Sequence, residues 1–141
     1  MKRHPSLRAL SDDHHRALVL ARRLRRSLPE QEAAGLAALA GAVRRELDAE
    51  LEPHFAVEER VLLPALEARG ETELVQRTLA DHARVRALAR GTWSAGTAHE
   101  LGALLEQHVR FEERVLFPRA EAVLSETELS AVRDARPGAK T

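Results

Sequence analysis

Apolar residues recur every three or four positions along most of the chain, which is the spacing of amphipathic helices. In the first such segment, Leu10, Ala17 and Leu24 share one face. Three later segments repeat the pattern, separated by short polar or glycine-containing stretches. The sequence therefore predicts four helices, at about 11–27, 32–69, 72–90 and 98–124.

Helix-capping and helix-breaking residues mark the ends of these segments. Ser11-Asp12-Asp13 matches an N-cap followed by an acidic first turn. Leu28-Pro29-Glu30 interrupts the helical pattern, and Gly70 suits the end of the second helix. Ser125-Glu126-Thr127-Glu128 has the form of a capping box. It predicts a short fifth helix at about 125–136.

These elements predict an all-α fold, an antiparallel up-down four-helix bundle with a short fifth helix at its C-terminal side. A length of 141 residues suits a single domain. We expect that domain to span 1–141, with its core at about 10–122 and a frayed tail at 137–141. Pro53 and Pro64 should each kink the second helix or loosen one of its turns.

Composition narrows the class of function. Lys plus Arg number 22, as do Asp plus Glu, so the basic excess of nucleic-acid-binding proteins is missing. No apolar stretch is long enough to span a membrane, and the first residues lead into a charged segment instead of the apolar core of a signal peptide. We therefore expect a cytoplasmic protein that binds neither nucleic acid nor membrane. The chain has no Cys, which excludes thiolate metal sites.

An internal repeat is the clearest feature of the sequence. Residues 54–64 and 108–118 carry His, two Glu, Arg, Val, Leu and Pro in the same places. A shorter echo links Asp13-His14 with Asp81-His82. The first two helices thus resemble the last two, and two similar hairpins give a bundle with an approximate two-fold axis. We expect a paired site near that axis.

Helical periodicity directs part of this repeat into the core. A rotation of about 100° per residue puts His108 and Glu112 in the middle of an apolar face that includes Leu105 and Val115. The following Glu113 falls off that face, as does its counterpart Glu59 in the second helix. Both are predicted to be surface charges paired with nearby Arg; the alternative is that one of them supplies a ligand because Pro53 or Pro118 distorts its helix.

The same calculation sends one His from every helix inward, and two helices add a Glu. In the first helix, His14 faces the core, and His15, one residue towards the flank, is the alternative. The candidate ligands are His14, His54, Glu58, His82, His108 and Glu112.

Such a set requires positive charge. Buried carboxylates are costly unless they are paired, and no Lys or Arg occupies the same core positions. Two divalent ions would satisfy all six groups, whereas a metal-free polar network would leave them without a cation. Imidazole with carboxylate favours iron, manganese or zinc, and iron is the first choice.

The ordered set of motifs resembles the hemerythrin-like, or HHE cation-binding, domain. It comprises Asp13-His14, His54-x-x-x-Glu58, Asp81-His82 and His108-x-x-x-Glu112, over roughly residues 10–122. The resemblance implies an up-down bundle with two oxygen-bridged iron ions. By position, the four His would be terminal ligands and the two Glu carboxylates that bridge the ions.

The sequence departs from the oxygen-carrying hemerythrins at two points. Those proteins have a further His one turn away on the third helix, where this chain has Thr78 and Arg86. They also place the fourth-helix carboxylate five residues after the His, whereas Glu112 comes four after His108. The four-His, two-Glu set is similar to that of di-iron proteins linked to nitric oxide stress and iron–sulfur repair.

Three functions remain open from the sequence. The first is a di-metal protein that binds, senses or buffers oxygen, nitric oxide or iron, with a separate protein partner if it signals. The second is a di-iron enzyme with oxidase, peroxidase, nitric oxide-reducing or iron–sulfur repair activity. The third is a purely structural bundle. Because no additional cofactor motif or redox Cys is present, the first is favoured.

Overall fold

A computed structural model describes residues 2–26 and 33–136, which form helices and no strand. A 3-10 turn at Pro5–Leu7 precedes the first helix. The helices are α1 (Arg8–Arg25), α2 (33–68), α3 (Thr72–Arg90), α4 (95–123) and α5 (Glu126–Ala135). The all-α prediction and the short fifth helix are confirmed. None of the described helices is both long enough and apolar enough to span a membrane.

Two helices begin earlier than the sequence pattern predicts. Ser11 is not the N-cap of α1, because Leu7 and Leu10 are both buried and the helix extends towards them. The Ser11 hydroxyl instead donates to a carboxylate oxygen of Glu113. Similarly, α4 begins three residues before the predicted start, because Ser94 caps it in a reciprocal pair with Thr97.

Two other predicted helix ends are correct. Gly70 has a φ of 81° and ends α2, its amide donating to Glu67 and that of Glu71 donating to Leu66. This pair of hydrogen bonds satisfies carbonyls at the helix end, and only Gly adopts the required backbone conformation without strain. Ser125 caps α5 through the predicted box with Glu128. The predicted break at 28–30 and the tail at 137–141 lie outside the described residues.

Helices α2 and α4 stay continuous through their prolines because a widened, π-helical turn comes before each one. Every such turn ends two residues ahead of a proline. A normal turn would bring the proline ring against the carbonyl four residues earlier, and the wider turn relieves that clash. The turns are Leu47–Leu51 before Pro53, Glu58–Leu62 before Pro64 and Glu112–Leu116 before Pro118.

The π turn in α4 explains why one residue predicted to lie in the core is exposed. Val115 was expected on the inward face of α4, yet it is 44% exposed, while Leu116 and Phe117 are fully buried. A π turn contains about one more residue than an α turn, which shifts the inward face by one position. Helical periodicity read from His108 therefore holds up to the π turn and fails beyond it.

The arrangement of the four long helices is antiparallel, because opposite halves of successive helices share each of two apolar clusters. The first cluster joins the second half of α1 to the first half of α2, and the second joins their other halves; α3 and α4 divide in the same way. Representative members are Leu24, Val43, Val85 and Leu101 in the first cluster and Leu10, Leu63, Val75 and Leu116 in the second. Helix α5 adds Leu129 and Val132 to the second cluster.

Close packing of α1 against α4 generates a first prediction, at Gly102. A Cβ atom there would lie 2.8 Å from Cγ of Arg25 and 2.9 Å from the carbonyl oxygen of Ala21. We expect Gly102→Ala to lower the free energy of unfolding by about 1–3 kcal/mol, since the backbone at Ala21 cannot move away cheaply. Denaturant unfolding followed by circular dichroism measures this change.

The matched control is Gly96→Ala in the first turn of the same helix, where the nearest atom outside the helix backbone is 3.5 Å away. This substitution should be neutral or stabilising, because Ala is the better helix former. Equal effects at the two positions would contradict the close-packing explanation.

Candidate metal centre

All six candidate ligands meet in one polar layer between the two apolar clusters. The four His side chains come one from each of the four long helices, and the two Glu come from the π turns of α2 and α4. Every one of them is buried, and Glu58, His82 and Glu112 are 0% exposed. His15, the alternative in α1, lies on the exposed side of its helix.

The two carboxylates occupy the middle of the layer, and the histidines direct Nε2 towards them. Nε2 of His14 lies 2.7 Å from Oε1 of Glu112, and Nε2 of His108 lies 3.1 Å from Oε2 of the same residue. Nε2 of His54 lies 3.2 Å from Oε2 of Glu58 and 3.4 Å from Oε1 of Glu112.

The six side chains form two overlapping groups of four. In each group, one ligand atom from every residue lies within 4.8 Å of the others. Both groups contain Glu58 and Glu112, so the two carboxylates are shared. Each group has two imidazoles of its own. The groups are His14, His54, Glu58 and Glu112, and Glu58, His82, His108 and Glu112.

Buried polar atoms in this layer fit a pair of cations. Both carboxylate oxygens of Glu58, Oε2 of Glu112 and Nε2 of His82 and His108 are buried and make no well-directed hydrogen bond, although an imidazole nitrogen lies 3.0–3.2 Å from each of these oxygens. Buried polar atoms in native proteins are nearly always satisfied. Positions between the shared carboxylates and the imidazoles would satisfy these atoms together, so the donor set fits two metal ions.

A second layer of carboxylates fixes the outer side of each imidazole. Because a carboxylate only accepts, Nδ1–H donates in all four cases, which leaves Nε2 facing the centre, where it can carry a proton or bind a metal ion. The four bonds are Nδ1 of His14 to Glu113 at 2.7 Å, of His54 to Asp13 at 3.1 Å, of His82 to Glu59 at 2.6 Å and of His108 to Asp81 at 2.9 Å.

This second layer is not predicted by the sequence pattern. Glu59 and Glu113 do pair with arginines, as predicted, but they are not merely surface charges, because each accepts a hydrogen bond from an imidazole. Asp13 and Asp81 accept from imidazoles too, a contact that the sequence pattern does not predict. The available signal was the repeated Asp-His pair, since adjacent helix residues point in directions about 100° apart. The Asp therefore faces the neighbouring helix, not its own His.

Electrostatics in the layer favours protonation of His14, His54 and His108 when no other cation is present. Burial alone would lower the pKa of His108, but the facing Glu112 and the bond to Asp81 raise it to about 10. Burial likewise opposes protonation of His14 and His54, yet carboxylates around each ring raise both pKa values. For Glu112, the nearby imidazoles outweigh burial and lower its pKa well below the usual range.

Aromatic rings close the layer on two sides. Phe55 stacks on His82 with ring centroids 3.9 Å apart, and Phe117 lies parallel to His14 at 5.4 Å. Both phenylalanines are fully buried and restrict access of water to the imidazole faces. Phe111 is only partly buried and packs below the guanidinium of Arg77, 4.5 Å from its ring centre.

A small cavity of about 10 Å³ adjoins the layer. That volume is close to the minimum for one water molecule. Its polar lining includes the imidazoles of His14, His54 and His108 and the carboxylates of Asp13 and Glu46, and its apolar lining consists of Ala17, Leu51, Phe55, Leu105 and Val109. Arg16 and Glu50, also in its lining, lie on the exposed side. The site therefore has room for a ligand of very few atoms.

Comparison with known protein families matches residues 6–120 to the family described as "Hemerythrin HHE cation binding domain". The chain belongs to the hemerythrin HHE family. The match includes all six residues of the central layer, while α5 lies beyond it. No curated protein matches the chain. Membership agrees with a helical bundle and with cation binding at the buried His and Glu groups.

Thr78 and Arg86 occupy the third-helix positions at which the oxygen-carrying hemerythrins have a further His. Thr78 is fully buried, and its hydroxyl donates to the carbonyl of Leu74. Arg86 pairs with Glu52 and Glu59, on the outer side of His82. Neither residue supplies a further imidazole, so each of the two groups has two.

Competition between protons and metal at the imidazoles generates a second prediction. With a pKa of about 10, His108 carries a proton at neutral pH, whereas a metal ion needs the free Nε2 lone pair. Zinc binding should therefore release protons, and zinc affinity should rise from about pH 6 to about pH 8, by about tenfold per pH unit for each proton released. Calorimetry in buffers of different ionisation enthalpy counts those protons. Affinity independent of pH would contradict the prediction.

Proposed function

We propose that this hemerythrin HHE protein holds two iron ions through His14, His54, Glu58, His82, His108 and Glu112, and uses them to bind oxygen or nitric oxide or to buffer iron. One observation carries the proposal: ligand-type atoms of all six side chains converge in a buried layer where five of those atoms make no well-directed hydrogen bond. Iron suits the ligands because mixed imidazole and carboxylate ligation is typical of it. Zinc and manganese fit the same donors less specifically.

The residues of the chain hold the donors in position. The Nδ1–H bonds to the outer carboxylates fix the orientation of every imidazole, so Nε2 is the nitrogen that would bind a metal ion. Glu58 and Glu112 are held by the π turns from which they project. Bound ferrous iron would supply a redox-active centre with affinity for diatomic gases.

The shape and polarity of the cavity favour a diatomic ligand over an organic substrate. At about 10 Å³ it admits a few atoms, and Leu51, Leu105 and Val109 contribute apolar walls. A gas such as oxygen or nitric oxide is small and nearly apolar, so it can enter without the desolvation cost that a charged substrate would carry. This observation favours binding over turnover of a larger molecule.

The third prediction tests the ligand set. His14→Ala should lower the metal content from about two ions per chain and reduce the stability of the loaded protein, because metal binding and folding are linked. The control is His15→Ala, which removes the same group one residue away on the exposed side of α1 and should leave both unchanged. Mass spectrometry of untagged protein, after anaerobic loading with iron, measures the metal content.

Two further results would contradict this assignment. If His15→Ala removes the metal and His14→Ala does not, the assignment of His14 as the ligand from α1 is wrong. If the wild-type chain takes up no metal even after anaerobic loading, the di-metal proposal fails and a structural bundle remains.

The fourth prediction tests the diatomic ligand. Adding oxygen or nitric oxide to the reduced, iron-loaded protein should change its visible absorbance, and removing the gas should reverse the change. Ala17→Val, which adds two methyl groups to the cavity wall, should weaken this binding by about tenfold or more, since overpacking costs about 1–3 kcal/mol. Its iron content should stay at that of the wild type. An irreversible change with continued consumption of the gas would favour the enzyme alternative.

A further inference from the structure

The outer carboxylates differ in where their arginine partners lie in the fold. This difference divides the centre into two halves. Each carboxylate that accepts from an imidazole also pairs with one arginine. The pairs are Asp13 with Arg136, Glu113 with Arg3, Asp81 with Arg77 and Glu59 with Arg86. The first two pairs belong to the His14–His54 half, and the last two to the His82–His108 half.

In the His82–His108 half, both arginines lie on α3, the helix that carries His82 itself. Arg77 lies 3.3 Å from Asp81 one turn further along, and Arg86 lies 2.9 Å from Glu59 on α2. Both arginine positions are inside a regular helix whose Val75, Val85 and Ala89 are buried in the two clusters. Separating these arginines from their carboxylates through backbone motion would require unwinding a ligand-bearing helix.

In the His14–His54 half, both arginines lie outside the four ligand-bearing helices. Arg3 precedes the turn at Pro5–Leu7, and Nη2 of this residue lies 3.3 Å from Glu113. Arg136 follows the last residue of α5 and contacts Asp13 through both Nε and Nη2. Local opening of these flanking segments would release both carboxylates and leave α1 to α4 intact.

Arg3 supports His14 by two routes. Besides pairing with Glu113, it lies over the ring of Phe117, 5.5 Å from its centre, and Phe117 stacks on His14. Arg86 makes the equivalent contacts in the other half, since it lies 5.2 Å from the ring centre of Phe55, which stacks on His82. The two halves therefore have matching contacts and differ in which part of the fold provides the arginine.

A route from solvent also lies on the His14–His54 side. A surface cavity of about 100 Å³ is lined by Asp13, Glu50, Pro53, His54 and Arg136. The smaller cavity beside the central layer also borders Asp13, Glu50 and His54. Arg136 thus forms part of the wall of the surface cavity that borders His54.

We infer that the two metal positions exchange at different rates, and that Arg3 and Arg136 control the faster one at His14 and His54. This inference rests on the di-metal centre proposed above. Release of either arginine frees the carboxylate that orients an imidazole, and losing such an outer contact typically lowers metal affinity about 10–100-fold. The position at His82 and His108 keeps its ion longer, because α3 holds its outer carboxylates.

The test measures release of zinc from the fully loaded protein into an excess of a coloured chelator. Zinc is the probe because it has no redox chemistry. The wild type should lose one ion in a fast phase and one in a slow phase. Arg136→Gln should accelerate the fast phase by about tenfold or more and leave the slow phase unchanged. Arg77→Gln is its matched control, because Asp13 and Asp81 are counterparts in the repeat, and it should leave the fast phase unchanged.

A second pair of variants tests the inference independently if Arg136→Gln or Arg77→Gln fails to fold. Arg3→Gln should act as Arg136→Gln does, and Arg86→Gln as Arg77→Gln does, with circular dichroism of the metal-free variants reporting the fold. Two ligand variants assign the phases: His14→Ala should retain only the slow ion and His82→Ala only the fast one.

Two results would overturn the inference and leave the di-metal proposal standing. One is release of both ions from the wild type in a single phase. The other is equal acceleration of one phase by Arg136→Gln and Arg77→Gln in folded proteins. Failure of the wild type to bind two zinc ions would instead overturn the proposed function itself.

Discussion

Two buried carboxylates that face each other across the middle of the bundle are the constraint on which this structure depends. Glu58 and Glu112 are both 0% exposed, and the charged groups nearest to them are the imidazoles of the same layer. Such a pair is unfavourable unless positive charge enters the layer. Protons on the imidazoles can supply that charge, and metal ions supply it while also satisfying the atoms that make no well-directed hydrogen bond. The two carboxylates thus require cations because they are buried.

Successive layers of groups with alternating charge surround the two central carboxylates. Around the central carboxylates lie four imidazoles, around these lie four carboxylates, and around those lie four arginines. Each layer offsets the charge of the one inside it. The outermost charges, those of the four arginines, are partly exposed, so water can solvate them. This ordering explains how a chain with zero formal charge can bury so many ionisable groups in one place.

Most of the fold and the inner layer could be predicted from the sequence because both follow from helical periodicity. The bounds of α3 were predicted to the residue, and all six candidate ligands lie in the central layer. The errors have local causes. The prediction that Val115 faces inward fails because periodicity alone does not reveal a π turn. The prediction that Ser11 is a cap fails because the helix starts earlier, at residues whose burial depends on tertiary contacts, such as Leu7. The outer carboxylates contact imidazoles on neighbouring helices, and a pattern within one helix cannot reveal such contacts.

The direction of the outer hydrogen bonds has a consequence for how such a chain can arise. Asp13 of α1 accepts from His54 of α2, Glu59 of α2 from His82 of α3, Asp81 of α3 from His108 of α4, and Glu113 of α4 from His14 of α1. Each helix thus holds the imidazole of the next, and the cycle closes. One hairpin contains half of the central carboxylates, half of the imidazoles and half of the outer carboxylates, and an identical hairpin would supply the other halves. Two copies of an ancestral hairpin, associated as a symmetric dimer, would complete the same centre, and the internal repeat is the pattern that duplication and fusion of its gene would produce.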